Sequence, residues 1–132
     1  MFGDETLIGL SKVNVDCKGR MFLPAKTKRE KGDKLVLVYD KDIDKYIIYK
    51  LEDIESSLKF FSEKINKESS ALKIVEWKKR ELEFSRSILK NLTVDAQGRI
   101  QLMEPLTNYK SLILVGCRDH LIIEMEEEDK IR

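Results

Sequence analysis

The sequence Asp16-Cys17-Lys18-Gly19-Arg20 is repeated 79 positions later as Asp95-Ala96-Gln97-Gly98-Arg99. The residues on either side repeat at the same offset, with Val13, Val15 and Leu23 matching Leu92, Val94 and Leu102. A repeated pattern with matching flanks predicts a duplicated structural unit.

The turn chemistry of the motif accounts for its aspartate and glycine. Aspartate at the first position and glycine at the last fit a type I turn between two strands, where glycine tolerates the positive φ that follows. The turn does not require the arginine that comes next. Arg20 and Arg99 therefore offer two planar guanidinium groups that match phosphate or the O6/N7 edge of guanine. The alternative is structural: each arginine pairs with Asp95 or Asp16 of the other copy, across the pseudo-dyad.

The rest of the chain predicts three regions within one compact domain. The first repeat covers residues 1–50, with strands near 10–15, 20–23, 34–39 and 46–49 and a short helix over 24–31. Apolar residues spaced by three and four predict a helical hairpin over residues 51–86. Its Trp77 and Phe84 are interpreted as core or subunit contacts. The second repeat covers residues 87–132, with strands near 88–94, 99–102, 112–115 and 121–123.

Composition narrows the class of protein. The chain has 132 residues, 42% hydrophobic and 37% charged, with a net charge of only +1. A local basic patch over residues 12–34 holds eight basic residues against three acidic ones. Because no apolar run could span a bilayer and the start lacks signal-peptide regions, we expect a cytoplasmic protein with no membrane partner. Cys17 and Cys117 are isolated, which fits a reducing compartment.

Signals for catalysis are weak. His120 beside Asp119 lacks a third partner, and the sequence shows no serine elbow, metal-ligand spacing or phosphate-binding loop. We expect no enzyme activity, no metal, no cofactor and no small-molecule substrate. The acidic run over residues 126–129 is interpreted as a solvated tail.

Residues 15–26, the second motif, the opening Met1-Phe2-Gly3 and the helical hairpin between the copies resemble the MraZ family. The resemblance implies an α+β fold, a pseudo-dimeric swapped-hairpin β-barrel of two AbrB-like β-units with an α-helical hairpin between them. It implies a bacterial, nucleoid-associated transcription regulator, usually a repressor. Such a protein binds double-stranded DNA at repeated boxes upstream of its own operon, the division and cell wall gene cluster, and assembles into a ring-shaped homo-oligomer.

The resemblance places the DNA-contacting arginines at Arg20 and Arg99, with Lys18 and Gln97 as helpers at matching positions. Lys12 and Lys26 of the basic patch are predicted to support them. Two departures from the family pattern stand out: Cys17 replaces a small residue, and Pro105 comes two residues later than its counterpart Pro24. The first copy keeps its proline and its basic neighbours, so we expect Arg20 to matter more than Arg99.

Two other functional interpretations fit the same residues. One is an AbrB/MazE-like antitoxin or transition-state regulator, although residues 124–132 are short for a toxin-binding tail. The other is an assembly scaffold that does not bind DNA and whose helical hairpin only joins subunits.

Overall fold

The computed structural model describes residues 9–24 and 30–131. Within them the chain forms eight strands, two α-helices and two short 3-10 helices, at Leu106–Asn108 and Glu127–Asp129. The longer elements are β1 (Gly9–Asn14), β2 (Arg20–Phe22), β3 (Lys34–Asp40), β4 (Lys45–Lys50), α1 (Leu51–Lys67), α2 (Ala71–Ser87), β5 (Ile88–Thr93), β6 (Arg99–Gln101), β7 (Ser111–Cys117) and β8 (His120–Glu124). The predicted α+β class is confirmed.

All strand pairs are antiparallel, and they join the two repeats. Six strands form one sheet in the order β1-β7-β8-β4-β3-β5, while β2 and β6 pair separately as a two-stranded ribbon. The strand β1 of the first repeat pairs with β7 of the second, and β5 of the second pairs with β3 of the first. The order is unchanged when the two repeats are exchanged, so a pseudo-two-fold axis runs between β4 and β8.

The main core lies between the six-stranded sheet and the ribbon. Met21 and Ile100 face each other at the centre of the ribbon, and both are fully buried. Leu35 and Leu37 of β3 enter this core from the sheet. Because side chains alternate along a strand, Val36 and Val38 point to the other face, where they form a second cluster with Ile54 of α1. Burial on both faces explains the continuous apolar run of β3.

The helical hairpin packs on the outer face of one half of the sheet. The side chain of Ser70 caps α2 by accepting a bond from the backbone N–H of Lys73 at 3.5 Å. Between the helices, the Phe61 ring lies 6.3 Å from that of Trp77 and 5.6 Å from that of Phe84. Phe84 packs against the cluster of Val36, Val38 and Ile54, which confirms it as a core contact. Trp77 contacts α1 within the hairpin, and its part in subunit contacts stays a prediction. No helix in the described ranges is long and apolar enough to cross a membrane.

A row of apolar side chains crosses the outer face of the six-stranded sheet from edge to edge. Successive members lie directly opposite one another on neighbouring strands: Leu10, Val115, Ile122, Ile47, Val38 and Ile88. At the β5 end, Val38 and Ile88 pack with residues of the helices. At the β1 end, Leu10 is 71% exposed. The helices thus cover one half of a pseudo-symmetric surface.

The predicted short helix and the predicted acidic tail have different outcomes. Most of the predicted helix over 24–31 lies outside the described residues, and its counterpart in the second repeat is the 3-10 helix Leu106–Asn108. The acidic run over residues 126–129 was predicted to be a solvated tail, and this prediction is wrong for part of the run. Its last member, Asp129, is 4% exposed and lies 3.2 Å from Nζ of Lys12. The backbone N–H of Lys110 also donates to the carbonyl oxygen of Asp129, which holds this segment against the fold.

Candidate nucleic-acid interface

The first motif folds into a turn held by one carboxylate. Asp16 Oδ1 accepts the backbone N–H groups of Lys18 at 2.9 Å and Arg20 at 2.8 Å. Its Oδ2 accepts from Nε of Arg20 at 2.8 Å. The backbone N–H of Gly19 donates to the carbonyl oxygen of Asp16 at 3.0 Å, which closes the predicted four-residue turn. The aspartate therefore fixes both the backbone and the arginine side chain.

The second motif repeats this geometry. Asp95 Oδ1 accepts from the backbone of Gln97 at 2.9 Å and of Arg99 at 2.8 Å, and Oδ2 accepts from Nε of Arg99 at 2.8 Å. The alternative in which each arginine pairs across the pseudo-dyad is wrong. Only four residues separate the aspartate from its own arginine, so the turn itself brings the two side chains together.

Hydrogen bonding keeps both carboxylates ionised. The backbone N–H of Arg20 lowers the pKa of Asp16 below its ordinary value, and the Arg20 side chain and the N–H of Lys18 add to this against an opposing effect of desolvation. The pKa of Asp95 is lowered in the same way, first by the backbone N–H of Arg99. Each arginine is therefore held by a full negative charge at neutral pH.

The ribbon presents both arginines on its outer surface. Met21 and Ile100 point inward, so the residues on either side of each point outward. Arg20 lies opposite Gln101, and Phe22 lies opposite Arg99. The two arginines are diagonal neighbours across the paired strands, where such residues lie about 7–8 Å apart. Two turns that are distant in sequence thus contribute guanidinium groups to one face.

The two arginines differ in their surroundings. The side chain of Arg20 is 28% exposed, against 18% for Arg99. Nη2 of Arg99 donates to Oε1 of Gln97, and its Cζ lies 5.8 Å from the centre of the Phe22 ring. Arg99 is therefore the more constrained of the pair.

The other predicted residues divide into three groups. Lys18 and Gln97 are exposed in their turns, beside the arginines. Lys12 lies on the neighbouring strand β1, where its ammonium group pairs with Asp129. The Lys12 ammonium group, which was predicted to support DNA contact, is thus already paired with a carboxylate. Lys26 lies outside the described residues.

Phe22 and Gln101 also point outward from the ribbon, but they were not among the site residues predicted from the sequence. Nε2 of Gln101 donates to the carbonyl oxygen of Lys18 at 2.8 Å and of Gly19 at 3.2 Å, so it braces the first turn from the second repeat. The available signal was their spacing: each is two residues beyond an arginine in a strand, which places it on the same face.

The lone histidine lies away from this face, on β8. Nδ1 of His120 lies 2.9 Å from a carboxylate oxygen of Asp119, and its ring lies 5.1 Å from that of Tyr49. In the described part of the chain, no three histidine, cysteine, aspartate or glutamate side chains lie close enough together to hold a metal ion.

Models of known protein families and the curated proteins were both compared with the chain, and neither comparison gives a match.

Proposed function

We propose that this protein is a sequence-specific DNA-binding transcription regulator rather than an enzyme, with Arg20 and Arg99 as its main DNA contacts. One observation carries the proposal: two identical aspartate–arginine turns, 79 positions apart, place their guanidinium groups on the outer face of one ribbon. A two-stranded β-ribbon fits the major groove of DNA. Because each aspartate engages Nε, the guanidinium group is oriented before any ligand arrives.

Pre-orientation matters for recognition. A guanidinium group that is already fixed loses little side-chain freedom when it binds, so more of the contact energy appears as affinity. The same fork geometry allows two parallel hydrogen bonds to guanine or to a phosphate. An ion pair made only for stability would not need its arginines on one exposed surface.

A finer fold assignment belongs to the same proposal: the two repeats form a pseudo-dimeric swapped-hairpin barrel. The six-stranded sheet leaves β1 and β5 as edges. Val15 bridges Met21, which links β1 to β2, and β2 pairs with β6, which follows β5. The ribbon therefore runs between the two edges of the sheet. This arrangement supports the barrel and, with it, the resemblance to the MraZ family.

The resemblance also gives the proposed regulatory target. We propose that the protein acts in a bacterial cytoplasm, on the nucleoid, and represses its own operon in the division and cell wall cluster by binding repeated boxes. A net charge of +1 is small for a DNA-binding chain. Several copies acting on adjacent boxes would raise the affinity without a strongly basic subunit.

Two exposed apolar surfaces motivate the proposal that copies of this chain associate. The first is the uncovered end of the apolar row, with Leu10 as its most exposed member. The second is the outer face of α2, where Leu72 is 71% and Val75 61% exposed, and Leu82 follows at helical spacing. We propose that α2 of one copy covers the uncovered apolar row of the next. Because the two surfaces differ, the contact is head-to-tail and can close into a ring.

The DNA upstream of the protein's own gene tests the proposal. Wild-type protein should bind it tightly, with an affinity that falls linearly on a log–log plot against salt concentration. Arg20→Ala should weaken binding by about 1–3 kcal/mol. Arg80→Ala serves as the matched control, because Arg80 is an exposed arginine of α2 on the side of Trp77, away from Leu72, Val75 and Leu82. Equal affinities of wild type, Arg20→Ala and Arg99→Ala would refute the assignment of the site.

The scaffold and antitoxin alternatives make different predictions. A scaffold would show no salt-dependent preference for the upstream DNA. An antitoxin would require a toxin partner bound to its terminal segment. Here residues 126–131 are engaged within the fold: the backbone N–H of Ile131 donates to Asn108, and Asp129 pairs with Lys12. Residues 126–131 are therefore not free to act as a toxin-binding segment in the folded chain.

A further inference from the structure

Phe22 is an unusual residue for the surface of a short ribbon. It is 55% exposed, although Met21 beside it is fully buried. Its ring lies under the guanidinium group of Arg99, 5.8 Å from Cζ. Phe22 therefore belongs to the face that carries both arginines.

The pseudo-dyad gives Phe22 a counterpart of opposite character. At the offset of 79 positions its equivalent is Gln101, which lies opposite Arg20 as Phe22 lies opposite Arg99. The Gln101 amide donates to two carbonyl oxygens of the first turn. Each arginine thus has a different cross-strand neighbour: a glutamine engaged with the turn for Arg20, an exposed aromatic ring for Arg99.

We propose that Phe22 is a specificity-determining residue that contacts the 5-methyl group of a thymine adjacent to the base contacted by Arg99. This inference rests on the proposed function. In the major groove, thymine differs from the other bases by its methyl group, and apolar side chains recognise it, whereas arginine recognises guanine. The stacked pair of Phe22 and Arg99 combines both kinds of contact on neighbouring bases.

The proposal has a consequence for the DNA site. Arg20 has no aromatic neighbour in the equivalent position. The bases next to the one that Arg20 contacts therefore need not include a thymine. One chain therefore reads two unlike half-sites, although the aspartates of its two turns make equivalent hydrogen bonds. The preferred DNA is not a palindrome, and each copy binds it in one orientation.

The thymine contact of Phe22 is tested in two steps. Wild-type protein first selects its preferred sequence from randomised DNA duplexes, and single bases of that duplex are then replaced. In the selected duplex each thymine is replaced in turn by uracil, which removes only the methyl group. Wild-type protein should lose affinity by about fourfold at one position, the value for one buried methyl group. Phe22→Ser should bind the thymine and uracil duplexes equally, and Phe22→Leu should retain a preference. Ile43 is another exposed apolar residue, and the control variant Ile43→Ser should behave as wild type.

The wild-type comparison needs no variant, so it stands even if Phe22→Ser folds poorly. Specific binding with no loss at any uracil position overturns the role of Phe22 and leaves the proposed function intact. Failure to select any sequence overturns both. A Phe22→Ser protein that keeps the full thymine preference also overturns the inference.

Discussion

The backbone N–H of Leu23 donates to the carbonyl oxygen of Gly98 at 3.0 Å, so the first repeat is tied directly to the turn of the second. The equivalent bond runs from Leu102 to Gly19 at 2.9 Å. Each repeat thus completes the hydrogen bonding of the other's turn. The two arginines are held in fixed relation because their turns are joined in this reciprocal way.

The centre of the ribbon should be the most sensitive point for stability. Met21→Ala and Ile100→Ala each remove a fully buried side chain and should lower the free energy of unfolding by about 2–5 kcal/mol. Chemical denaturation measures this. Phe22→Ala, on the exposed side of the same strand, is the control and should cost less than about 1 kcal/mol. Equal losses for Phe22 and Met21 would contradict the assigned inner and outer faces.

The two turn glycines should differ in their tolerance of alanine. Both have a positive φ, +77° at Gly19 and +78° at Gly98, so alanine at either should cost about 1–2 kcal/mol. An added Cβ at Gly19 would also lie 2.7 Å from Cγ2 of Thr107, whereas the space at Gly98 is open. Gly19→Ala should therefore destabilise more in thermal unfolding.

The Thr107 side chain allows a rescue of this difference. Thr107→Ser removes Cγ2 and should bring the cost of Gly19→Ala down toward that of Gly98→Ala. If Thr107→Ser leaves the cost of Gly19→Ala unchanged, the close approach to Cγ2 of Thr107 is not its cause, and Nε2 of Gln101, 3.0 Å from the added Cβ, is the next contact to remove.

Acid should loosen both turns together. The pKa of Asp16 and that of Asp95 are lowered in the folded protein from 3.8, so each carboxylate stabilises the fold fully above that value. Below it the unfolded chain binds more protons, and the contribution is lost as the pH falls through the folded pKa. Denaturation at pH 7 and at low pH should show a steeper loss for wild type than for Asp16→Asn/Asp95→Asn. An equal loss of stability in wild type and in the double variant would contradict this prediction. Asp16→Asn and Asp95→Asn alone should each show a loss between those two.

Arg20 should dominate DNA binding over Arg99. It is the more exposed of the two, and Arg99 is also bound to Gln97. Arg20→Ala should therefore reduce affinity more than Arg99→Ala in fluorescence anisotropy. Arg20→Lys should not restore binding, because an ammonium group lacks the planar fork. A larger loss for Arg99→Ala, or full activity of Arg20→Lys, would reverse this order.

A charge on the outer face of α2 should disrupt assembly. Val75→Glu should lower the molar mass measured by light scattering and leave the fold intact, because Val75 is 61% exposed within one chain. Ile43→Glu, at an exposed residue in the turn between β3 and β4, is the control. An unchanged mass for Val75→Glu would remove α2 from the proposed interface. Leu10→Glu should act in the same direction from the other side.

The sequence predicted the elements well because their signals are local. Apolar spacing placed α1 and α2, and the aspartate and glycine of each motif specified its turn. The pairing of the acidic run with Lys12 was missed, since no local pattern shows that residues 117 positions apart will meet. Spacing alone would have placed Phe22 and Gln101 on the face of the arginines, but their contacts with Arg99 and with the first turn also join distant segments.

The duplication and the two turns could be predicted from the sequence alone. These follow from backbone geometry within a few residues. Only the tertiary structure decided which aspartate each arginine pairs with, which strands of one repeat join the other, and that the neighbour of Arg20 differs from that of Arg99. Those features depend on strand register between distant segments, and register is set by burial of the whole core rather than by any one stretch of chain.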